Sequence, residues 1–329
     1  YKLNEQYYFS PERYLRDERD RKQIKVIGRV AGLCVIAYVV LQNLLTLPLV
    51  FEPLSSIYNS SPVFQDAVTI LLSVFGLMLP FAIGGFYLRR RTNVNVFAFD
   101  RPVSVKLMVF AVFFGFFVCL AGNYVSSIFV SAMDGIGFKL SSPDYEVTDD
   151  VFGRIVYFIM VAVVPPLTEE LAIRGVIMQP LRRYGDRFAI VASAMLFAVL
   201  HGNLIQAPFA FIAGLGIGYA VCITGSLWTG VLIHFCNNAY SVLIEFMARD
   251  ITDTALLGKA YNIVLIALYA VSIIGSVIFV MVKAPRKLTP PATTLSRRQR
   301  YGAFVLNIPM LIAIGIMIYI TSRYVRFVG

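Results

Sequence analysis

The chain has 329 residues, of which 58% are hydrophobic and 15% charged, whereas soluble domains carry about 25% charged residues. With a mean hydropathy of +0.73, that excludes an ordinary soluble globular protein, and apolar stretches long enough to cross a bilayer recur along almost all of the length. The net charge of +10 lies in short Lys and Arg clusters between apolar segments, so it reads as membrane topology and not as a nucleic-acid footprint.

In chain order, residues 1–29 are mixed-charge and aromatic, without the short basic stretch and cleaved apolar core of a secretory signal, and read as a cytosolic N-terminal segment. Nine apolar segments follow, at about 30–51, 63–88, 103–133, 151–181, 188–201, 204–223, 227–248, 260–282 and 302–322. The fourth is broken by Pro165-Pro166 and holds charged residues, and the fifth is short for a full span. Departures of that kind inside a membrane surround a cavity. The four cysteines, Cys34, Cys119, Cys222 and Cys236, all lie in apolar segments without CxxC spacing, so they read as small core residues. The expected fold is all-α and polytopic, with about eight to nine transmembrane helices around a central bundle.

The N-terminal segment and the stretches from Arg89 to Lys106, Arg182 to Arg187 and Lys283 to Arg300 are basic, which places them in the cytosol. The loops EPLSSIYNSSP and DGIGFKLSSPDYEVTDD are poor in Lys and Arg and fit the opposite side. Nine spans satisfy this alternation, with Arg323 and Arg326 a mild exception, and put the chain in the cell membrane as a multi-pass protein with a cytosolic N-terminus.

An ionisable side chain at membrane depth costs about 2.5 to 3.5 kcal/mol, so each one asks for a reason. They concentrate in one region: Glu169, Glu170 and Arg174 in the fourth segment, His201 at the end of the fifth, and His234, Asn237, Asn238 and Glu245 in the seventh. The two histidines of the chain are both in this set. Glu170 and Arg174 are i, i+4 neighbours, as are His234 and Asn238, while Cys236 is turned away from His234. At 1.5 Å per residue from the cytosolic helix ends, Glu170, His201 and His234 lie about 18, 21 and 12 Å deep, so one water-accessible pocket open to the cytosolic side is the simplest arrangement. Pro165-Pro166 is positioned to free backbone groups and widen it.

Such a pocket supports hydrolysis, in which a carboxylate takes a proton from water and imidazole or amide groups hold the oxyanion at an attacked carbonyl. No serine elbow, HExxH or P-loop occurs. Glu with two His is also a zinc set, so no cofactor is required but metal hydrolysis stays open on chemistry alone. Gly214 and Gly218, at GxxxG spacing, read as a close helix contact, and Asn123 and Asn203 as inter-helix or cavity amides. Glu245, Asp66 and Lys106 sit near helix ends, where a charge reaches the interface cheaply, and are given no role.

The three stretches Glu169-Glu170-x-x-x-Arg174-Gly175, Phe197-x-x-x-His201 and His234-x-x-x-Asn238 resemble, in order, the signature of the CAAX-processing and bacteriocin-immunity (CPBP, or Abi) family of intramembrane proteases, which includes the type II CAAX prenyl endopeptidases. Ile173 stands where the family often has an aromatic residue. The resemblance implies a glutamate-type, metal-independent endopeptidase in which Glu169 and His201 activate water, His234 and Asn238 hold the oxyanion, and Glu170 with Arg174 orients the site. The choice of Glu169 over Glu170 comes from the resemblance alone. The resemblance covers about residues 151–250 as a protease core and does not constrain the rest, which the hydropathy and charge pattern divides into the cytosolic segment 1–29, N-terminal helices 30–150 and C-terminal helices 251–329, with a cytosolic linker at about 283–300. The implied partners are a membrane-associated peptide or protein substrate, a CAAX-type tail or bacteriocin-like peptide, and the lipid bilayer, with no nucleic acid; oligomeric state is left open. Two alternatives use the same residues: an ion-coupled transporter with Glu, Arg and His as a proton relay, and a non-catalytic immunity or regulatory scaffold.

Overall fold

The computed structural model describes residues 11–143, 146–282 and 284–328. The first ten residues of the N-terminal segment, residues 144–145 of the acidic loop, Lys283 of the basic linker and residue 329 lie outside the described residues.

Helix α1 (Pro11–Thr46) starts well ahead of its apolar part, because the Glu-, Arg- and Lys-rich run before residue 30 is itself good helix-forming sequence. After the short α2 (Leu54–Ser60), Ser61 accepts a hydrogen bond from Phe64 N at 3.3 Å and caps α3 (Pro62–Thr92). Helix α3 closes behind Arg89, Arg90 and Arg91 on Asn93, which takes the left-handed conformation that ends helices. Ser104 caps α4 (Val105–Gly135), strand β1 (Phe138–Leu140) follows, and Asp150 caps α5 (Val151–Tyr184). Then come α6 (Asp186–Leu200), α7 (Ala207–Thr224), α8 (Leu227–Asp250), α9 (Thr254–Met281), α10 (Arg297–Val305), α11 (Ile308–Ser322) and strand β2 (Val325–Phe327).

Among the described residues, seven helices are long and apolar enough to cross a membrane, or eight if α10 and α11 count as one span. The ninth apolar segment is therefore not the single helix expected. It bends by 75° because the Asn307 side chain accepts from Met310 N at 3.2 Å and caps a new helix, and Pro309 in its first turn has no N–H to continue the old one. The bend is seated on α1, where Gly28 and Gly32 leave room for the backbone at Phe304 and Met310.

Loops expected on one side meet one another. At the basic end Leu227 N donates to Ala98 O at 3.0 Å and Asp186 N to Thr289 O at 3.1 Å. At the other end β1 pairs antiparallel with β2, and Arg154 on α5 donates to Asp250 on α8 at 2.8 Å. The basic loops thus meet at one end and the Lys- and Arg-poor loops at the other, while the nine-span alternation fails at the turn between α6 and α7.

Helix α7 lies at the centre, packed against α4 and α6. Its small residues permit this: a Cβ on Gly214 would sit 2.9 Å from the Ala194 Cβ, and one on Gly218 3.2 Å from Ile190 Cγ2, so Gly214 and Gly218 form the close contact their spacing suggests. The α6–α7 pair is also short. With 15 and 18 residues, these helices reach about 22 and 27 Å, against about 46 Å for α4. A hairpin that rises from the basic end therefore stops inside the bundle, below the opposite end. All four cysteines are free thiols; Cys34, Cys119 and Cys222 are buried, as expected of core residues.

Candidate active site

The site is built where α5, the tip of the α6–α7 hairpin and α8 meet. Helix α5 is irregular here. It carries π-helical stretches at Ile159–Val163 and Leu171–Met178, flanking the short α-helical run that ends on Glu169 and Glu170. Such insertions re-aim side chains and recur at functional sites.

Pro165 and Pro166 leave a definite mark. The Val161 carbonyl would normally accept from the N–H four residues on, or five in a π turn, and both positions are proline. The vacated place is taken from another helix: Asn238 Nδ2 on α8 donates to Val161 O at 2.9 Å. Asn238 is itself reached by Asn237 Nδ2 at 3.2 Å, and Asn237 Oδ1 accepts from Asn123 Nδ2 on α4 at 3.3 Å. A relay of three amides thus crosses from α4 through α8 to the proline break in α5.

Glu170 and Arg174 are both fully buried, at 0% exposure. Arg174 Nη1 donates to Glu170 Oε1 at 2.9 Å, and His234 Nδ1 stands 3.1 Å from the same oxygen. A carboxylate accepts, so His234 Nδ1 carries the proton in that bond. Its Nε2 then faces Glu169, 4.0 Å from Oε2. The Glu169 side chain keeps 25% of its surface exposed. Glu170 is committed to its neighbours, and Glu169 is the carboxylate left open.

His201 follows the last residue of α6, with Nδ1 2.8 Å from Phe197 O. A carbonyl only accepts, so Nδ1–H donates and the Nε2 lone pair is free. The turn holding it is fixed by Asn203, which donates to His201 O at 2.9 Å and accepts from Gln206 N at 2.9 Å. Phe197 joins the parts: its ring meets His201 edge-on at 4.7 Å between centroids and His234 at 5.8 Å, and the Arg174 guanidinium lies 4.4 Å from its centre.

A cavity of about 1150 Å³ opens in front of these groups. Of the six expected site residues, Glu169, His201, His234 and Asn238 line it, while Glu170 and Arg174 stand behind the wall. Phe197, Asn123 and Asn237 also line it, and Cys236 does not. One expectation is overturned. The cavity does not open toward the basic loops: its far wall carries Tyr58, Ser131, Pro143 and Tyr324, all at the opposite end of the bundle. Depth along separate helices located the polar groups, but only the short α6–α7 hairpin determines on which side of them space is left. Asp66 also departs from expectation, being buried at 3% exposure instead of reaching the interface. Glu245 accepts from Tyr157 Oη at 3.0 Å, a structural bond between α5 and α8.

The roles of Phe197 and Gly230 were not legible beforehand. Phe197 was seen only as part of a motif, and Gly230 not at all, although a Cβ there would lie 2.8 Å from Glu170 Oε2. Only an unexplained glycine on the same helix as His234 hinted at it. Among the described residues, no group of three or more His, Cys, Asp and Glu is placed to hold a metal ion.

Residues 151–240 match the family model described as type II CAAX prenyl endopeptidase Rce1-like. That segment contains all three motifs, and the match agrees with their resemblance to the CPBP family and supports a membrane peptidase. No curated protein and no solved structure matches the chain.

Proposed function

With residues 151–240 matched to the Rce1-like family, we propose that the chain is an intramembrane endopeptidase that hydrolyses a peptide bond of a membrane-associated peptide or protein with water activated by Glu169 and His201. One observation carries this reading: Glu169 and both histidines, drawn from three separate helices, converge on a large cavity, with Glu170 directly behind its wall. Four costly polar groups meeting by chance is a poor account of that convergence.

Water held between Glu169 and the free Nε2 of His201 gives a proton to Glu169 as its oxygen attacks the substrate carbonyl. The resulting oxyanion faces Asn238, whose second amide hydrogen is not used on Val161 O, and His234, which when doubly protonated donates at once to Glu170 and to the oxyanion. Glu169 then passes its proton to the departing amine, and carboxylic acid and amine leave as the peptide bond breaks. Glu170 and Arg174 act through His234: the ion pair fixes its Nδ1 and hence the direction of Nε2. No step is assigned to a metal. The basic loops put the N-terminus in the cytosol.

Mass spectrometry of membrane peptides from cells carrying the wild-type chain or Glu169→Gln tests the reading. New cleavage products present with the wild type and absent with the variant support it. Identical peptide profiles at equal protein levels remove it and favour a scaffold, whereas substrate flux lost in the variant without any product favours a transporter.

A further inference from the structure

The direction of the cavity selects the substrate. The inference rests on the peptidase reading above and concerns the face from which that site is fed. The α6–α7 hairpin rises from the end of the bundle that carries Arg89 to Arg91, Arg183, Arg187, Arg286 and Lys287, and fills that side with buried side chains, among them Ile190, Ile217, Val221 and Ile223. Above its tip, the longer helices α1, α3, α4, α5 and α8, together with α11, enclose the cavity, whose end away from the hairpin, taken as its mouth, is lined by Tyr58, Ser131, Pro143 and Tyr324. By the positive-inside rule the basic end is cytosolic and the mouth is not.

The walls between mouth and site are mixed, with a row of hydrogen-bonding side chains set among apolar ones such as Val39, Leu72, Val130 and Ile320. Gln42, Thr69, Ser73, Ser127, Ser131 and Gln206 line them. Thr69, Ser73 and Ser127 donate their hydroxyl hydrogens back to the helix backbone, at 3.0 Å in each case, which leaves their oxygens free to accept from a peptide N–H. An isoprenoid chain lying there would strip water from these groups and return no hydrogen bond. An extended peptide offers a donor and an acceptor at nearly every residue.

We propose that the site takes an unlipidated, extended peptide segment presented at the extracytoplasmic face of the membrane, and not a prenylated tail delivered from the cytosol.

The test uses the full chain in sealed right-side-out and inside-out membrane vesicles. A pool of water-soluble, internally quenched peptides is added outside, with a farnesylated copy of each tested separately. Cysteine variants report sidedness independently of activity: Ser131→Cys at the mouth and Arg183→Cys at the basic end, labelled with a membrane-impermeant maleimide and with the unsubstituted chain as blank. The expected result is peptide cleavage and Ser131→Cys labelling in right-side-out vesicles, loss of both in sealed inside-out vesicles, the reverse labelling for Arg183→Cys, and no gain from farnesylation. Cleavage confined to inside-out vesicles, reversed labelling, or cleavage of the farnesylated peptides alone overturns the proposal while leaving the peptidase intact. Labelling as expected, with no peptide cleaved even after detergent opens the vesicles, overturns the peptidase reading on which the proposal rests.

Discussion

Removing the Asn238 side chain in Asn238→Ala should orphan the Val161 carbonyl, which has lost its helical donors to Pro165 and Pro166 and accepts from Asn238 Nδ2 at 2.9 Å. An unsatisfied buried acceptor costs about 1 to 3 kcal/mol. Val161 lines the cavity, so water can occupy the vacated place and the expected loss sits near 1 kcal/mol, at the lower end of about 1 to 3. The same carbonyl can be satisfied in another way. Pro165→Ala restores an N–H four residues on, so in that background Asn238→Ala should cost almost nothing in stability. The assay is a double-mutant cycle on unfolding in detergent micelles, with peptide turnover measured on the same four proteins. Coupling of about 1 kcal/mol is expected, against a scatter of about 0.3 to 0.5 kcal/mol for independent sites. Stability should be rescued in the double variant while turnover is not, because the alanine side chain that replaces Asn238 has no amide to offer an oxyanion. Additive stabilities would refute the claim that Asn238 replaces the donor the prolines remove, and recovery of turnover would refute its second role.

Gly230→Ala places a methyl group 2.8 Å from Glu170 Oε2; the carboxylate and His234 must shift, and a misplacement of about 1 Å is enough to lower turnover about 100-fold. Gly218→Ala, whose new methyl meets Ile190 and not the site, should lower turnover far less, and equal losses would show that helix packing alone is being read. Asp150, which caps α5, is held below the ordinary carboxylate range chiefly by the Gly153 N–H it accepts from at 2.9 Å. A depressed folded value means that its contribution is present above the ordinary Asp range and is lost as pH falls through the folded value. The protection of the Gly153 amide, measured against its intrinsic exchange rate at each pH, should therefore fall on acidification, and that dependence should vanish in Asp150→Asn. Incubation with EDTA should leave turnover unchanged; loss of activity restored by added zinc would establish a metal site in place of the mechanism proposed here.

The hydropathy pattern was sufficient for the helical fold and for the separation of basic from Lys- and Arg-poor loops, because membrane burial forces long apolar runs and basic flanks onto the chain. It was insufficient at three kinds of place. The π-helical stretches Leu72–Met78, Ile159–Val163 and Leu171–Met178 change which residues share a face without changing composition. The bend between α10 and α11 was carried by Asn307 and Pro309, a cap and a first-turn proline hidden inside an apolar run. The direction of the cavity depended on hairpin length relative to neighbouring helices, a comparison among elements that no single segment contains. For the site, the motif residues Glu169, His201, His234 and Asn238 do meet at one cavity, and Pro165-Pro166 did free a backbone group as their chemistry requires. The identity of its new partner, Asn238, could not be read from one stretch of sequence, since it comes from a helix 77 residues further along the chain.

The most direct measurement is turnover of one identified peptide by the purified chain and by its Glu169→Gln and His201→Ala variants, each shown to unfold at the temperature of the wild type. Loss of a positioned acid–base group costs about 100- to 10,000-fold. Both variants should fall by at least that lower bound while binding the peptide as before, and wild-type turnover in either folded variant would contradict water activation by Glu169 and His201.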